Sequence, residues 1–141
     1  MPNPMMDRPA RFWVPAALWA LLIFVLSSIP GASFPPSEFL THDKLLHAAV
    51  YAVLGAFCFL AVPRSWSRKT SVLVLIAGAM ATVYGFTDEF HQLFVPGRFA
   101  DLRDVLADSV GGLVGAQAAS MVLAAKGGDG PATKAEGPST K

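Results

Sequence analysis

Polar and ionisable side chains occur at three places in an otherwise apolar chain, and the first group comprises Asp43, Lys44, His47 and Tyr51. On a helix, His47 lies one turn after Lys44 and Tyr51 lies one turn after His47, so these side chains form a polar stripe. Histidine is the commonest general base, and the ammonium group of a lysine can bind a negatively charged group of a ligand. Burial of such groups is unfavourable unless they are paired or hydrogen-bonded, so the stripe predicts a binding or catalytic site.

Two further polar groups flank a turn predicted at Pro96-Gly97. The first, at the end of the third predicted helix, comprises Asp88, Glu89, His91 and Gln92, and the second comprises Arg98, Asp101, Arg103, Asp104 and Asp108. Glu89 is a second candidate for a general base, and the guanidinium of Arg98 is suited to an anionic ligand or a developing negative charge. Asp104 and Asp108 share one helix face, where their carboxylates repel each other unless a cation intervenes or one of them is protonated. Arg98 and Lys44 are the candidates for that cation.

Several of these residues also have a purely structural interpretation. Asp43 and Asp101 are good N-cap residues, and capping together with the helix dipole explains the pair Asp101 and Asp104 as well as a binding site does. Tyr51 is equally suited to be an aromatic residue at the membrane interface. For His47 we favour an inward, hydrogen-bonded position, because an ionisable group near the end of a span normally faces a partner.

Several classes of chemistry are excluded or receive no support from the sequence. There is no HExxH motif for zinc and no GxSxG motif around a nucleophilic serine, so we predict no metal and no cofactor, and the catalytic residues of any enzyme stay unknown. The single cysteine, Cys58, excludes an intramolecular disulfide. A formal net charge of +1 with scattered Lys and Arg excludes nucleic acid as a partner.

Long apolar helices must position these residues. The chain is 53% hydrophobic and 15% charged, with a mean hydropathy of +0.48, whereas soluble domains carry about 25% charged residues. A helix needs about 20 apolar residues to cross a bilayer, and the candidate windows are residues 12–28, 45–62, 72–87 and 105–125. We therefore predict an all-α, four-helix transmembrane bundle over residues 12–125, between an N-terminal segment 1–11 and a disordered tail 126–141.

The distribution of positive charge predicts the orientation of the bundle, because Lys and Arg accumulate on the cytoplasmic side. With both termini in the cytoplasm, the cytoplasmic segments hold Arg8, Arg11, Arg64, Arg68, Lys69, Lys126, Lys134 and Lys141, and the outer segments hold Lys44, Arg98 and Arg103. The three polar groups then face outward. The alternative for the first window is a cleaved signal peptide; we prefer a retained anchor because its apolar stretch is longer than that of a usual signal.

Small residues recur every four positions on three of the predicted helices: Ala48, Ala52 and Ala56; Ala77, Ala81 and Gly85; and Ala107, Gly111, Gly115 and Ala119. Since lipid provides no hydrophobic drive between helices, close backbone contact along such ridges must stabilise the bundle. We expect a compact bundle with the fourth helix at its centre.

The polar motifs resemble those of the VanZ-like family of small membrane proteins. The resemblance covers residues 43–57 and 84–116 through the ordered combination DKxxH, ExxQ, PGR and DxxxDxxG. The family pattern falls on Asp43, Lys44, His47, Tyr51, Glu89, Gln92, Pro96, Gly97, Arg98, Asp104 and Gly111. Asp108 departs from it, because the family often has Asn there, and an ionised carboxylate cannot donate a hydrogen bond. The resemblance implies a few membrane spans, and the family's namesake is linked to teicoplanin resistance.

We expect a multi-pass protein of the cell membrane, with the lipid bilayer as a partner, whose outer polar groups bind a polar or anionic ligand of the cell envelope, such as a cell-wall precursor or a glycopeptide. Two alternatives stay open: a membrane-embedded enzyme acting on an envelope lipid or precursor, and a structural membrane protein whose polar groups only pair with one another. Four short helices leave little room for a transport pathway. The oligomeric state does not follow from the sequence.

Overall fold

The computed structural model describes residues 10–31 and 40–128, with side chains described for residues 10–31 and 44–126. These residues form four α-helices and no strand: α1 (Trp13–Ser27), α2 (Leu40–Ala61), α3 (Thr70–Gln92) and α4 (Leu102–Gly128). By length and composition, four helices of the described residues can cross a membrane. The predicted four-helix transmembrane fold is therefore confirmed. The cytoplasmic location of the termini stays a prediction, and most of segment 1–11 and of tail 126–141 lies outside the described residues.

Three of the four helices, α2, α3 and α4, extend beyond the apolar windows from which they were predicted. α2 begins at Leu40 and α3 continues to Gln92, while α4 begins at Leu102 and ends at Gly128. A search for apolar residues stops at the first charged side chain, but a helix continues where its polar side chains find partners inside the bundle. As a result, Asp88, Glu89 and Gln92 lie on α3 and do not belong to the following loop.

Small residues bring α2, α3 and α4 into close contact, as the ridges predicted. A methyl group added to Gly111 would collide with the backbone of Ala48, and one added to Gly115 would collide with the backbone of Ala52. On its other side α4 contacts α3. A methyl group added to Gly112 of α4 would collide with the methyl group of Ala81 on α3. The contacts of α4 with α2 and with α3 are the most extensive in the bundle, so α4 is central to this group of three helices.

α1 lies at the side of the bundle and contacts α2 and α3. Two partly buried polar groups join it to them: the indole Nε1 of Trp19 donates to the carbonyl of Val50 at 2.9 Å, and the hydroxyl of Tyr84 donates to the carbonyl of Ala20 at 2.6 Å. Such hydrogen bonds satisfy side chains that would otherwise lie unpaired in an apolar environment. The other face of α1 is apolar and exposed, as expected for a lipid-facing surface.

α2 and α4 run in one direction, and α1 and α3 run in the opposite direction. The start of α2 and of α4 therefore lies beside the end of α1 and of α3, and we call this end of the bundle the polar end. A tight turn connects α3 to α4, with the N–H of Arg98 donating to the carbonyl of Val95 at 3.1 Å. Gly97 has a φ of 73°, which fits a type II turn with Pro96 before it and confirms the predicted turn.

Candidate functional site

The polar end brings side chains of α2, α3 and α4 together into one cluster. We call the following residues the polar cluster: Lys44, His47, Tyr51, Asp88, Glu89, Gln92, Asp101, Asp104 and Asp108. Their meeting follows from the fold, because α3 ends where α2 and α4 begin. The Tyr51 hydroxyl on α2 has acidic neighbours on both of the other helices, Asp88 and Glu89 on α3 and Asp108 on α4. The structure thus brings together most of the predicted polar residues; Arg98 and His91 contact the region of α1 instead, and the side chain of Asp43 lies outside the described residues.

Lys44 links α2 to the start of α4. Its ammonium group donates to Oδ2 of Asp101 at 3.0 Å and to Oδ1 of Asp104. The side chains of Lys44 and Asp101 are 28% and 42% exposed, so this ion pair forms the open rim of the polar cluster. The repulsion between Asp104 and Asp108 predicted a cation near these acids, and Lys44 is a cation in contact with Asp104.

Asp101 has two roles, and the sequence left both of them open. Its Oδ1 accepts the backbone N–H of Arg103 at 2.8 Å, which confirms it as the N-cap of α4. Its Oδ2 contacts Lys44, so it is also a member of the polar cluster. The N–H of Arg103, and then the Lys44 ammonium, lower the pKa of the Asp101 carboxyl below its usual value.

Glu89 joins the end of α3 to the start of α4. Its Oε2 accepts the backbone N–H of Asp101 at 2.7 Å. In a capping box, a glutamate of the same helix usually performs this function; here it comes from the preceding helix. Glu89 is only 4% exposed, and its second oxygen, Oε1, has no hydrogen-bond partner among the described residues.

His47 and Asp108 form a buried pair between α2 and α4. Nδ1 of His47 lies 3.0 Å from Oδ1 of Asp108, whose side chain is fully buried. The predicted inward, hydrogen-bonded position of His47 is therefore confirmed. An ionised Asp108 can only accept, so this contact favours the tautomer with a proton on Nδ1. A carboxylate that orients an imidazole in this way is a recurrent feature of catalytic sites.

Four oxygen atoms of the cluster are buried without a hydrogen-bond partner in the part of the chain that the structure describes: the hydroxyl of Tyr51, Oδ1 of Asp88, Oε1 of Glu89 and Oδ2 of Asp108. Their residues are at most 5% exposed. The other oxygen of Asp88 accepts from Gln92 Nε2 at 3.2 Å. Buried polar atoms are rarely left unpaired, so a concentration of them makes this part of the polar cluster the candidate for contacts with further hydrogen-bonding groups.

Three sequence-based interpretations need correction or stay outside the described residues. Tyr51 is 1% exposed and packs beside Tyr84, so its interpretation as an interfacial aromatic is wrong. The two described hydrogen bonds of Arg98 go to the last turn of α1 and to the residues just beyond it, from Nη2 to Leu26 O at 3.4 Å and from Nε to Ile29 O at 3.1 Å. α2 begins at Leu40, so Asp43 lies in its first turn and the prediction that it is the N-cap is wrong; its side chain is outside the described part of the chain.

His91 turns away from the polar cluster although it shares a helix end with Asp88 and Gln92. Its Nε2 lies 3.0 Å from the hydroxyl of Ser28, and its ring stacks on Phe24 with 4.5 Å between centroids. His91 therefore contributes to the contact with α1. Within residues 10–31 and 40–128, no three His, Cys, Asp or Glu side chains form a set that could hold a metal ion.

Comparison with known proteins identifies one family. The model of the VanZ/LLP1 family matches residues 12–123, a range that includes α1, α2, α3, most of α4 and every member of the polar cluster. No curated protein matches the chain, and no solved structure does.

Proposed function

The chain belongs to the VanZ/LLP1 family, and from that premise we propose that it is a cell-membrane protein whose polar end binds a polar ligand of the cell envelope. The four buried oxygens without partners carry this proposal. Three of them belong to carboxyl groups, which only accept hydrogen bonds when ionised, so a ligand group that reaches these three must donate; the Tyr51 hydroxyl can donate or accept. Hydroxyl and amino groups of a cell-wall precursor or of a glycopeptide such as teicoplanin have this chemistry.

The charges of the polar cluster favour a donor-rich ligand over an anionic one. Asp88, Glu89 and Asp108 are buried with His47 as their neighbouring base, whereas the ammonium of Lys44 already contacts two other carboxylates. An additional anion would meet repulsion from these acids. The rim residues Lys44 and His47 are partly exposed, so the ligand approaches the buried acceptors from their side.

The proposal is tested with Glu89→Gln and Asp88→Asn, which replace one acceptor by a donor while preserving size. The measurements are teicoplanin susceptibility of cells that express the protein, and retention of purified protein on immobilised teicoplanin and on a lipid-linked cell-wall precursor. We expect both variants to lose binding and any resistance at unchanged membrane abundance. Arg103→Gln, at an exposed side chain, is the control. Binding that survives in both variants would contradict the proposal.

A second candidate function is a membrane-embedded enzyme that acts on an envelope lipid or precursor. The pair of His47 and Asp108 supports it, since a buried carboxylate holds the imidazole in one tautomer and makes it a better general base. Turnover of an envelope lipid by the purified protein, lost in His47→Ala and in Asp108→Asn, would establish catalysis. Ligand binding without turnover would leave recognition as the function.

The third alternative is a purely structural cluster. Lys44, Asp101, Asp104 and Glu89 already bind one another and hold the ends of three helices together. If this were their whole role, Glu89→Gln would reduce the yield of folded protein and change nothing else. Measuring abundance beside binding separates this result from the loss of a ligand site.

A further inference from the structure

Gln117 is an exposed polar residue in the middle of α4. The described span of α4 runs from Leu102 to Lys126, so Gln117 lies close to its centre and far from either membrane surface. Its side chain is exposed, and the structure gives its amide no hydrogen-bond partner among the described residues. In hydrocarbon, an unpaired amide is unfavourable, and such side chains normally face another protein group. The described residues of this chain provide no such group for Gln117.

The outward face of α4 around Gln117 has the spacing of a helix-packing surface. Val110, Val114, Gln117 and Met121 follow one another at intervals of four, three and four residues, which is the pattern of a coiled-coil seam. The three apolar members are 60%, 59% and 61% exposed. The opposite face of α4, with Gly111 and Gly115, is already occupied by α2. This seam is therefore available to a further helix.

A shallow, open groove borders this face where α4 passes Val74 of α3. Its lining residues are Val74, Leu113, Val114, Gln117, Ala118 and Met121. Apolar side chains of a neighbouring helix fit such a groove, and the small side chain of Ala118 permits close approach beside the amide.

We propose that this face binds the same face of a second copy of the chain, with the two Gln117 amides paired at the centre of the contact. All copies insert with the same topology, so residue 117 lies at the same membrane depth in each of them. A carboxamide both donates and accepts, and two of them related by a two-fold axis along the membrane normal satisfy each other. Self-association thus supplies the amide with a partner of matching depth and chemistry.

The test is disulfide cross-linking in native membranes, at low expression and with Cys58 replaced by alanine. Val114→Cys places a thiol on the proposed face. Val83→Cys, on α3, is the matched control because Val83 is also an exposed valine near the middle of its span, 62% against 59% exposed. We expect oxidation to give a cross-linked dimer for Val114→Cys. For Val83→Cys we expect about fivefold less dimer, a ratio that corresponds to the usual free energy of a contact between two membrane helices.

Substitutions at Gln117 then test the amide itself. Gln117→Leu combined with Val114→Cys is expected to lower cross-linking about fivefold, and Gln117→Asn, which keeps the amide, to retain most of it. Equal cross-linking at positions 83 and 114, or cross-linking unchanged by Gln117→Leu, would overturn the proposal. A mixed disulfide of Val114→Cys with another membrane protein would also overturn it, because the occupant would then be a different chain.

Discussion

Lys44 is the residue on which the charge balance of the rim depends, because its ammonium contacts the carboxylates of both Asp101 and Asp104. Exposed ion pairs contribute little to stability, but Asp104 is only 10% exposed, so its charge is incompletely compensated by solvent. The side chain of Lys44 is itself partly exposed, which reduces the effect of losing it.

We predict that Lys44→Met lowers the free energy of unfolding by about 1–2 kcal/mol, because it leaves the Asp104 carboxylate without its cation. Thermal unfolding in detergent measures this change. Adding Asp104→Asn should restore part of the loss, since the unpaired charge is then removed. Arg103→Met, at a neighbouring exposed cation, is the control and should have little effect. A double variant no more stable than Lys44→Met would contradict the ion-pair explanation.

The carboxyl of Asp101 should make stability depend on pH. Its pKa is lowered in the folded protein by the Arg103 N–H and by Lys44, so the ionised form stabilises the fold above the pKa of the unfolded chain. This contribution is lost as the pH falls through the lower, folded pKa.

We therefore expect Asp101→Asn, which keeps an N-cap oxygen, to be less stable than the natural protein at neutral pH. The difference should shrink below about pH 4, where aspartate becomes protonated. Thermal midpoints over a pH series test this prediction. A difference that is constant from neutral to acidic pH would show that the charge of Asp101 does not stabilise the fold.

At the scale of the elements, the contact between α2 and α4 depends on glycines that allow backbone to touch backbone. A Cβ atom at position 115 would overlap the carbonyl of Ala52. Since helix association in lipid relies on close packing, separating the two helices removes van der Waals contact along their whole length.

We predict that Gly115→Ala destabilises the bundle by about 1–3 kcal/mol, the usual effect of overpacking. Resistance to unfolding by a denaturing detergent is the measurement. Ala124→Val, on an exposed part of the same helix, is the matched control and should change little. A fully stable Gly115→Ala protein would show that the two helices are not in backbone contact.

The turn between α3 and α4 holds α1 in place through Arg98. Its guanidinium donates to two carbonyls at the end of α1, and the N–H of Gly31 donates to Pro96 at 3.0 Å. The last carbonyls of a helix lack the usual donors one turn further on; Leu26 O accepts the N–H of Ile29 at 3.3 Å, and Arg98 adds a side-chain donor to it and to Ile29 O.

Arg98→Lys should lower stability by about 1 kcal/mol, because an ammonium group cannot replace two guanidinium donors directed at separate carbonyls. We expect ligand binding, normalised to the amount of folded protein, to persist in this variant. Arg68→Lys, at an exposed position near the other end of the bundle, is the control. Loss of binding at unchanged stability would assign Arg98 to the ligand site.

At the scale of the whole molecule, the orientation in the membrane decides from which side the polar cluster is reached. The excess of Lys and Arg at the opposite end of the bundle predicts that the polar end faces outward. Exposed side chains are available at both ends: Phe99 is 85% exposed beside the polar cluster, and Trp66 is 57% exposed between α2 and α3.

We predict that a membrane-impermeant maleimide labels Phe99→Cys on intact cells, whereas Trp66→Cys is labelled only after permeabilisation. Both variants carry Cys58→Ala so that one thiol is present. The reverse pattern would place the polar cluster in the cytoplasm and exclude ligands that act only outside the cell.

The sequence predicted the number of helices, their approximate positions and the small-residue ridges, because hydropathy and residue spacing are local properties that bilayer thickness constrains. It was less successful at the helix ends. Apolar windows stopped at Thr87, for instance, whereas α3 continues to Gln92. The candidate site was predicted as a group of residue types, but the sequence could not decide between capping and binding for Asp101, because its contact with Lys44 joins distant parts of the chain.

The sequence by itself determined that this is a four-helix membrane protein of the VanZ/LLP1 family with its three polar groups at one end. Only the tertiary structure decided the partners within that end. It paired His47 with Asp108, directed Arg98 and His91 to α1, and buried Tyr51. The physical reason is that helix spacing fixes the face on which a side chain lies, whereas its partner depends on how each helix is rotated against its neighbours.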